Sequence, residues 1–519
     1  MEKNLYDAIY EKNIKFPNKT ILYYFSNRIK TKTFFQHLNI WSYIFSKKYN
    51  ISKGDVVSIN LPNIPNCIIC FYALNKIGAI VNLIHPLKPI GFVRDYVEYT
   101  KSKLLITSNI FQNENCSSFK NIKIPYIVCN INDYCESEKG NINKQSDYFS
   151  IFNRYKRVKT KIPSTYFDEA VYMHSGGTLD EPKTVVLQNN AINAVADCMK
   201  NCYRDIDSRE KCVLALPLFH GFGLASCMHN MLTRGTALIL IPKFETKKML
   251  DLIYESKAGV FMGVPKMYSL IFDSEINNLF KIKSIKYFFV GGDKFDNNLR
   301  DFLIKKARKI GCKGIFREGY GLTETGAICC LQRKNDKKYS LGNALKGIDV
   351  CIIDDDGNDC KINQYGEICV SGRTLMKEYY SSSCENVFFL KNGKKYLRTG
   401  DIGYFDSNNS LHFLERKKRV FKINGINVFP SEIEERLKKT FLLNECVLQI
   451  EKSNPYFFVV SDKNEKNFKS KIINFIKNNY MKCIVPLEKN IILCKKIPVT
   501  GINKINFGEL ALKIKNVWL

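Results

Sequence analysis

No stretch of the chain is long and apolar enough to read as a membrane span. The longest apolar region, Cys67 to Leu87, is broken by Asn75, Lys76 and Gly78, which fits a buried helix followed by a strand. The opening Met1-Glu-Lys-Asn-Leu-Tyr-Asp7 lacks the basic-then-apolar order of a secretory signal, so a cytoplasmic protein is expected. Internal repeats are absent, and nothing is of low complexity beyond a general enrichment in Lys and Asn. Zinc-site spacing is missing too. Cys67-Ile-Ile-Cys70 has apolar neighbours and no second pair at the required distance, so the 19 cysteines read as small buried hydrophobes in a reducing compartment. Acidic residues are in short supply, 50 against 79 Lys and Arg, leaving a net charge of +29. The lysines are spread along the whole length and no nucleic-acid motif or aromatic stripe accompanies them. The charge therefore reads as a lysine-coated surface, and no nucleic-acid partner is expected.

What is present is enough for a large globular protein. At 519 residues, 45% of them hydrophobic and 13% aromatic, the chain exceeds one compact core, and at least two domains are expected. Apolar β-branched runs alternate with helix-like segments through the first 400 or so residues, among them Val56–Leu61, Gly78–Ile84, Lys103–Thr107, Val213–Leu216, Ala237–Ile241, Gly259–Met262 and Tyr287–Val290. This alternation predicts an α/β fold of layered subdomains with largely parallel sheets. From Val350 to Leu414 the pattern turns hairpin-like, predicting a β-rich subdomain with turns at Asp354–Gly357, Lys391–Gly393 and Asp406–Asn409. The basic run Arg416–Arg419 reads as a linker into a small α+β domain, in which Ser431-Glu-Ile-Glu434 has the form of a capping box opening a helix.

One segment carries chemistry on its face. Tyr172-Met-His-Ser-Gly-Gly-Thr-Leu-Asp-Glu-Pro-Lys-Thr-Val186 packs hydroxyls, paired glycines and a lysine behind a strand-like run. Paired glycines let several N–H groups converge, Ser175 and Thr178 add rotatable donors, and Lys183 adds a mobile charge. A polyphosphate suits such a loop, although the G-x-x-x-x-G-K-[ST] spacing of the common phosphate loop is absent.

Further motifs follow in order: Leu216-Pro-Leu-Phe-His-Gly-Phe-Gly223, Glu318-Gly-Tyr-Gly-Leu-Thr-Glu-Thr-Gly326, Gly366-Glu-Ile-Cys-Val-Ser-Gly372 and Tyr396-Leu-Arg-Thr-Gly-Asp-Ile-Gly403. Arg416–Lys422 then runs into Gly425–Glu434, and Pro498-Val-Thr-Gly-Ile-Asn-Lys504 closes the series. From about residue 50 to the C-terminus the chain resembles the adenylate-forming acyl-CoA synthetase family, which includes luciferases and the adenylation domains of peptide synthetases.

The resemblance implies a large N-terminal domain, residues 1–417, and a small mobile C-terminal lid, residues 418–519, with the active site between them. It places Ser175, Gly176, Gly177, Thr178 and Lys183 on the phosphate loop. Thr323 falls where the family hydrogen-bonds the α-phosphate, Glu324 where it holds Mg²⁺, and Tyr320 where it stacks on adenine. Asp401 matches the acceptor for both ribose hydroxyls, Arg416 an arginine near ribose and phosphate, and Lys504 the catalytic lysine bridging acid and α-phosphate. Lys418 occupies the hinge position and Gly425 the thiol tunnel. The implied reaction takes ATP, Mg²⁺, a carboxylic acid and CoA, the alternative acceptor being the phosphopantetheine of a separate acyl carrier protein. Excess positive charge then admits a secondary reading, a basic face that draws in ATP or CoA or rests peripherally on anionic lipid.

His220 stands about where amino-acid-activating relatives place a carboxylate, which points to a fatty or aromatic acid; a core histidine is the competing reading. Pocket walls are implied along Leu224–Leu232, at Gly291-Gly292 and along Gly319–Ala327. Two departures stand out: Leu179-Asp180 replaces the loop's usual Thr-Gly, and Asn503 replaces the glycine before the lysine. A carboxylate beside a triphosphate is repulsive unless Lys183 offsets it, so a catalytically weak adenylate-binding protein is the alternative from another class.

Overall fold

The computed structural model describes residues 3–109, 122–135, 146–174, 183–333, 336, 339–380, 387–423, 426–451, 454–461, 467–480, 484–499 and 505–517. Described residues up to 174, with 183–350 and 370–397, form one compact unit; 351–369 and those from 398 onward form a second.

The first unit is built on two sheets. A seven-stranded sheet runs in the order Glu378–Tyr379, Thr184–Gln188, Glu169–His174, Ile80–Leu83, Val56–Asn60, Leu104–Ser108, Tyr126–Cys129. Its five strands from Glu169–His174 to Tyr126–Cys129 pair in parallel. A nine-stranded sheet has six adjacent parallel strands, Thr20–Tyr24, Ala237–Leu240, Lys211–Leu214, Val260–Gly263, Tyr287–Val290 and Ile315–Tyr320. Strands covered on both faces read as unbroken apolar runs, and Ile80–Leu83, Ala237–Leu240 and Val260–Gly263 are buried at every position. The expected α/β fold is thus present. The broken apolar region resolves as the helix Pro65–Lys76, entered through Pro65 and buried throughout, and the strand Ile80–Leu83. Among the described residues no helix is long and apolar enough to cross a membrane.

A five-stranded sheet follows, ordered Ile348–Ile353, Gly366–Gly372, Lys394–Phe405, Phe388–Lys391, with Leu411–Arg416 also pairing Lys394–Phe405. Two expected turns are hairpin connections. Asn392 and Gly393 both take positive φ, as a type I′ turn requires. Asp406 accepts from the backbone N–H groups of Asn408 and Ser410.

The second unit continues as α+β structure. Helix Pro430–Phe441 is followed by the antiparallel strands Glu445–Glu451 and Asn454–Val460, helix Phe468–Asn479, strand Ile491–Leu493 and helix Phe507–Val517. The capping box is not formed. The helix starts two residues earlier than the motif implies, at Pro430, and Phe429 in the cap position makes no side-chain cap bond. Tertiary partners take both members instead: Ser431 Oγ donates to Leu414 O at 3.0 Å, and Glu434 accepts from Arg419 and from Leu448 N–H, each at 2.7 Å.

Candidate active site

Ser175, Gly176, Gly177 and Thr178, together with Leu179-Asp180, lie outside the described residues, as do Gly425, Asn503 and Lys504. The two strands that flank the phosphate segment are described. Glu169–His174 pairs antiparallel with Thr184–Gln188, with His174 opposite Thr184. A hydrogen bond of 2.9 Å joins His174 Nδ1 and Thr184 Oγ1, and His174 Nε2 meets Asn82 Oδ1 at 2.8 Å. Because an amide oxygen only accepts, Nε2 carries the proton and Nδ1 accepts from Thr184. Tyr96 stacks on this ring with centroids 3.8 Å apart, and burial holds the imidazole down to about 3. The hairpin neck is therefore closed by a neutral histidine of fixed tautomer.

Lys183 leaves this neck with its Nζ 5.0 Å from the ring centroid of Tyr379, at cation–π distance. The hydroxyl of the same tyrosine donates to Glu324 Oε1 at 2.9 Å. Glu324 sits in a single 3₁₀ turn, Thr323–Thr325, closed by the buried Thr325, whose Oγ1 accepts from Leu322 N–H at 2.9 Å. Thr325 serves the turn, which leaves Thr323 and Glu324 half-buried at its outer side. The structure thus gathers Lys183 and Glu324 around a residue that no motif had singled out. The available signal was position: Tyr379 lies shortly beyond Gly366–Gly372.

Tyr320 ends the strand Ile315–Tyr320 and is 8% exposed. His220 is half-buried, its ring centroid 4.5 Å from that of Phe219. The histidine packed into the core is His229, fully buried between Tyr72 Oη (3.1 Å) and Asn193 Oδ1 (2.9 Å). Two glycine contacts bring two of the expected pocket segments, Gly291-Gly292 and Gly319–Ala327, together beside Gly221-Phe222. A Cβ on Gly221 would lie 2.9 Å from Gly326 O, and one on Gly291 would lie 3.3 Å from Gly319 O and 3.5 Å from the Phe222 ring. The segment after Gly221 is a π-helix, Phe222–His229, a form that clusters at functional sites. From Gly223 onward it is buried, so Phe222 is the residue of this helix that reaches solvent.

Within the second unit Asp401 and Arg416 are register partners in neighbouring antiparallel strands, with Oδ1 and a guanidinium nitrogen 2.7 Å apart. The Asp401 side chain is 1% exposed and that of Arg416 50%. The strand at Asp401 is fixed by Thr399 Oγ1, which accepts from Asp401 N–H and donates to Ile368 O. Lys418 is exposed, in a 3₁₀ turn, Lys417–Arg419.

Among the described residues no three His, Cys, Asp or Glu side chains cluster to cage a metal ion. A lone half-buried carboxylate such as Glu324 fits Mg²⁺ instead, a hard cation commonly held by one or two carboxylates and by substrate phosphates. The described cysteines form no disulfide with one another; Cys67 and Cys70 are fully buried, and burial pushes the Cys67 thiol up to about 12.

The chain is similar to several known proteins. Residues 10–380 match the family model of the AMP-binding enzymes. A long-chain-fatty-acid–CoA ligase of Bacillus subtilis (strain 168) is 26% identical, over 97% of this chain and 93% of that protein. A 4-coumarate–CoA ligase of Humulus lupulus is 29% identical, over 75% of this chain and 71% of that protein. The ATP-bound structure of MatB from Rhodopseudomonas palustris superimposes with a TM-score of 0.86 at 18% identity, with both chains covered in full. The o-succinylbenzoate–CoA synthetase MenE of Bacillus subtilis, in complex with AMP, gives 0.79 at 20% identity and 98% coverage of each. The chain belongs to the AMP-binding enzyme family, the adenylate-forming acyl-CoA synthetases. It is an enzyme of the AMP-forming ligase class.

Proposed function

We propose that the protein activates a fatty or aromatic carboxylic acid with ATP and passes the acyl group to the thiol of CoA. In the first step a carboxylate oxygen attacks the α-phosphorus and the bond to the bridging oxygen breaks, giving an acyl adenylate and pyrophosphate. In the second, the thiol sulfur takes the acyl carbon, its proton goes to solvent, and AMP leaves. The observation that carries this reading is the convergence of Lys183 and Glu324 on Tyr379, which unites the cation and the carboxylate the first step needs.

The substrate carboxylate is already ionised at neutral pH, so the chain supplies no general base. Its work is to offset charge as two anions approach and a third departs. Lys183, with the loop formed by Ser175, Gly176, Gly177 and Thr178, faces the outer phosphates. Thr323 donates to the α-phosphate and Tyr320 lies against adenine. Asp401 accepts the two ribose hydroxyls, and Arg416 beside it reaches toward the phosphate. Glu324 and the phosphates hold Mg²⁺, which when bound neutralises charge on the leaving pyrophosphate. Lys504 bridges acid and α-phosphate in the first step. For the second, residues 418–519 turn about Lys418 against residues 1–417, and Gly425 lines the path of the thiol.

Two relatives support the choice of acid and acceptor, one a ligase of long-chain fatty acids and one of 4-coumarate, both CoA ligases by name. Histidine at position 220 leaves no carboxylate there to pair with an α-amine. Described cysteines that form no disulfide with one another fit the reducing cytoplasm. The test is acid-dependent ATP–pyrophosphate exchange with Mg²⁺ and no thiol, across fatty, aromatic and amino acids. Exchange with a fatty or aromatic acid, followed by thioester formation on adding CoA, is expected. Exchange confined to amino acids would overturn the substrate class, and no exchange with any acid would overturn the activity.

A further inference from the structure

Segment Met376–Tyr380 is pinned on both sides. Met376 N–H donates to Glu324 O at 2.8 Å, Lys377 N–H to Val186 O at 3.0 Å, and Tyr380 N–H to Thr184 O at 2.8 Å. Its short strand Glu378–Tyr379 pairs antiparallel with Thr184–Gln188, placing Tyr379 opposite Val185. Lys377 Nζ adds an ion pair to Glu169 Oε1 at 2.7 Å. Successive strand residues point to opposite faces. Tyr380 accordingly packs on Tyr172, with ring centroids 5.0 Å apart, in an apolar cluster with Ile80 and Val186. Tyr379 must then present its ring and hydroxyl on the other face, where Lys183 and Glu324 are found.

A lysine beside a carboxylate is poorly directed without a third group, because both side chains rotate freely. One rigid aromatic residue on a doubly hydrogen-bonded strand removes that freedom from both. Its hydroxyl fixes one oxygen of Glu324 and leaves the carboxylate's remaining acceptor capacity for another partner. Its ring face holds the ammonium without using up a donor hydrogen. We propose that Tyr379 is the positioning residue of the nucleotide site, orienting Glu324 for magnesium through its hydroxyl and Lys183 for the phosphates through its ring. This inference rests on the activity proposed above.

The test uses the full chain with Tyr379→Phe and Tyr379→Leu. Binding of α,β-methylene-ATP, which cannot react at the scissile bond, is measured by calorimetry with and without Mg²⁺, beside Mg²⁺ titrations of the exchange reaction. For Tyr379→Phe the Mg²⁺-free affinity is retained, while the gain in affinity on adding Mg²⁺ falls about 10-fold. The Mg²⁺ concentration for half-maximal exchange rises equally, and KM for the acid is unchanged. Tyr379→Leu loses a further factor of roughly 2 to 5 in Mg²⁺-free affinity, as expected for one cation–π contact. Wild-type Mg²⁺ dependence in Tyr379→Phe would overturn the proposal alone. So would a parallel rise of KM for ATP and acid with a lowered melting temperature, the mark of a merely structural tyrosine. If the wild-type protein shows neither exchange nor Mg²⁺-assisted analogue binding, the activity reading fails and this inference falls with it.

Discussion

Asp401 and Arg416 face each other across two antiparallel strands, a nearly inaccessible carboxylate 2.7 Å from a half-exposed guanidinium. A buried carboxylate held this way is an oriented acceptor, suited to a vicinal diol. Asp401→Asn keeps the shape and replaces one acceptor oxygen with a donor. Losing hydrogen bonds to a charged group costs about 1.5–3 kcal/mol, so KM for ATP in the exchange assay should rise roughly 10- to 100-fold. KM for the acid should not move. Equal rises for both substrates would remove Asp401 from the ribose.

The placement of Arg419 yields a stability prediction. Its guanidinium spans Glu415 at 3.3 Å and Glu434 at 2.7 Å, and all three side chains are largely buried. Burial pushes the Glu434 carboxyl up, while Arg419 and the Leu448 N–H pull it back. Arg419→Ala leaves two buried carboxylates without their shared cation and should cost about 3 kcal/mol at neutral pH. A raised folded-state value means stability is retained at low pH and lost as pH rises through that value. The deficit of the alanine variant should therefore shrink on acidification. Denaturant melts at pH 5 and pH 7.5 measure this, and a deficit that grows on acidification would contradict the pairing.

His229 gives the opposite pH dependence. Burial holds its folded value at about 3, against 6.5 for the free side chain. The unfolded chain takes up a proton below pH 6.5 and the folded protein does not, so stability present at neutral pH is lost as pH falls. At pH 5 the loss is about 2 kcal/mol for this group alone. His229→Gln, which keeps a polar side chain between Tyr72 and Asn193, should flatten the fall in unfolding free energy between pH 7 and pH 5. An unchanged slope would place the titrating group elsewhere.

Legibility in the sequence follows from where each group finds its partner. Ile80–Leu83, Ala237–Leu240 and Val260–Gly263 are buried on both faces, so apolar runs alone marked them. The turns at Asn392-Gly393 and Asp406 were visible because their chemistry is local. The capping box failed for the converse reason: Ser431 and Glu434 have the right spacing, but Leu414, Arg419 and Leu448 outcompete the local partners. Tyr379 was hidden because its importance arises from a strand pairing with Thr184–Gln188, far away in the chain. Nor could His174 be singled out from the phosphate segment, since its tautomer is set by Asn82 on a neighbouring strand.

The two half-reactions separate the roles proposed for Lys504 and Lys418. In its proposed role Lys504 acts only where acid and α-phosphate approach, so Lys504→Ala should abolish acid-dependent exchange, while thiolysis of a supplied acyl adenylate by CoA continues near the wild-type rate. Proline at 418 fixes φ and removes an N–H within the turn Lys417–Arg419. Lys418→Pro should therefore spare exchange and suppress thioester formation, because only the second step needs the turn to change its backbone angles. Rapid-quench measurement of each half-reaction distinguishes the cases. A Lys504→Ala enzyme equally impaired in both steps would mean that the lysine holds the fold, not the α-phosphate. Thioester formation that survives Lys418→Pro would locate the moving backbone at another residue.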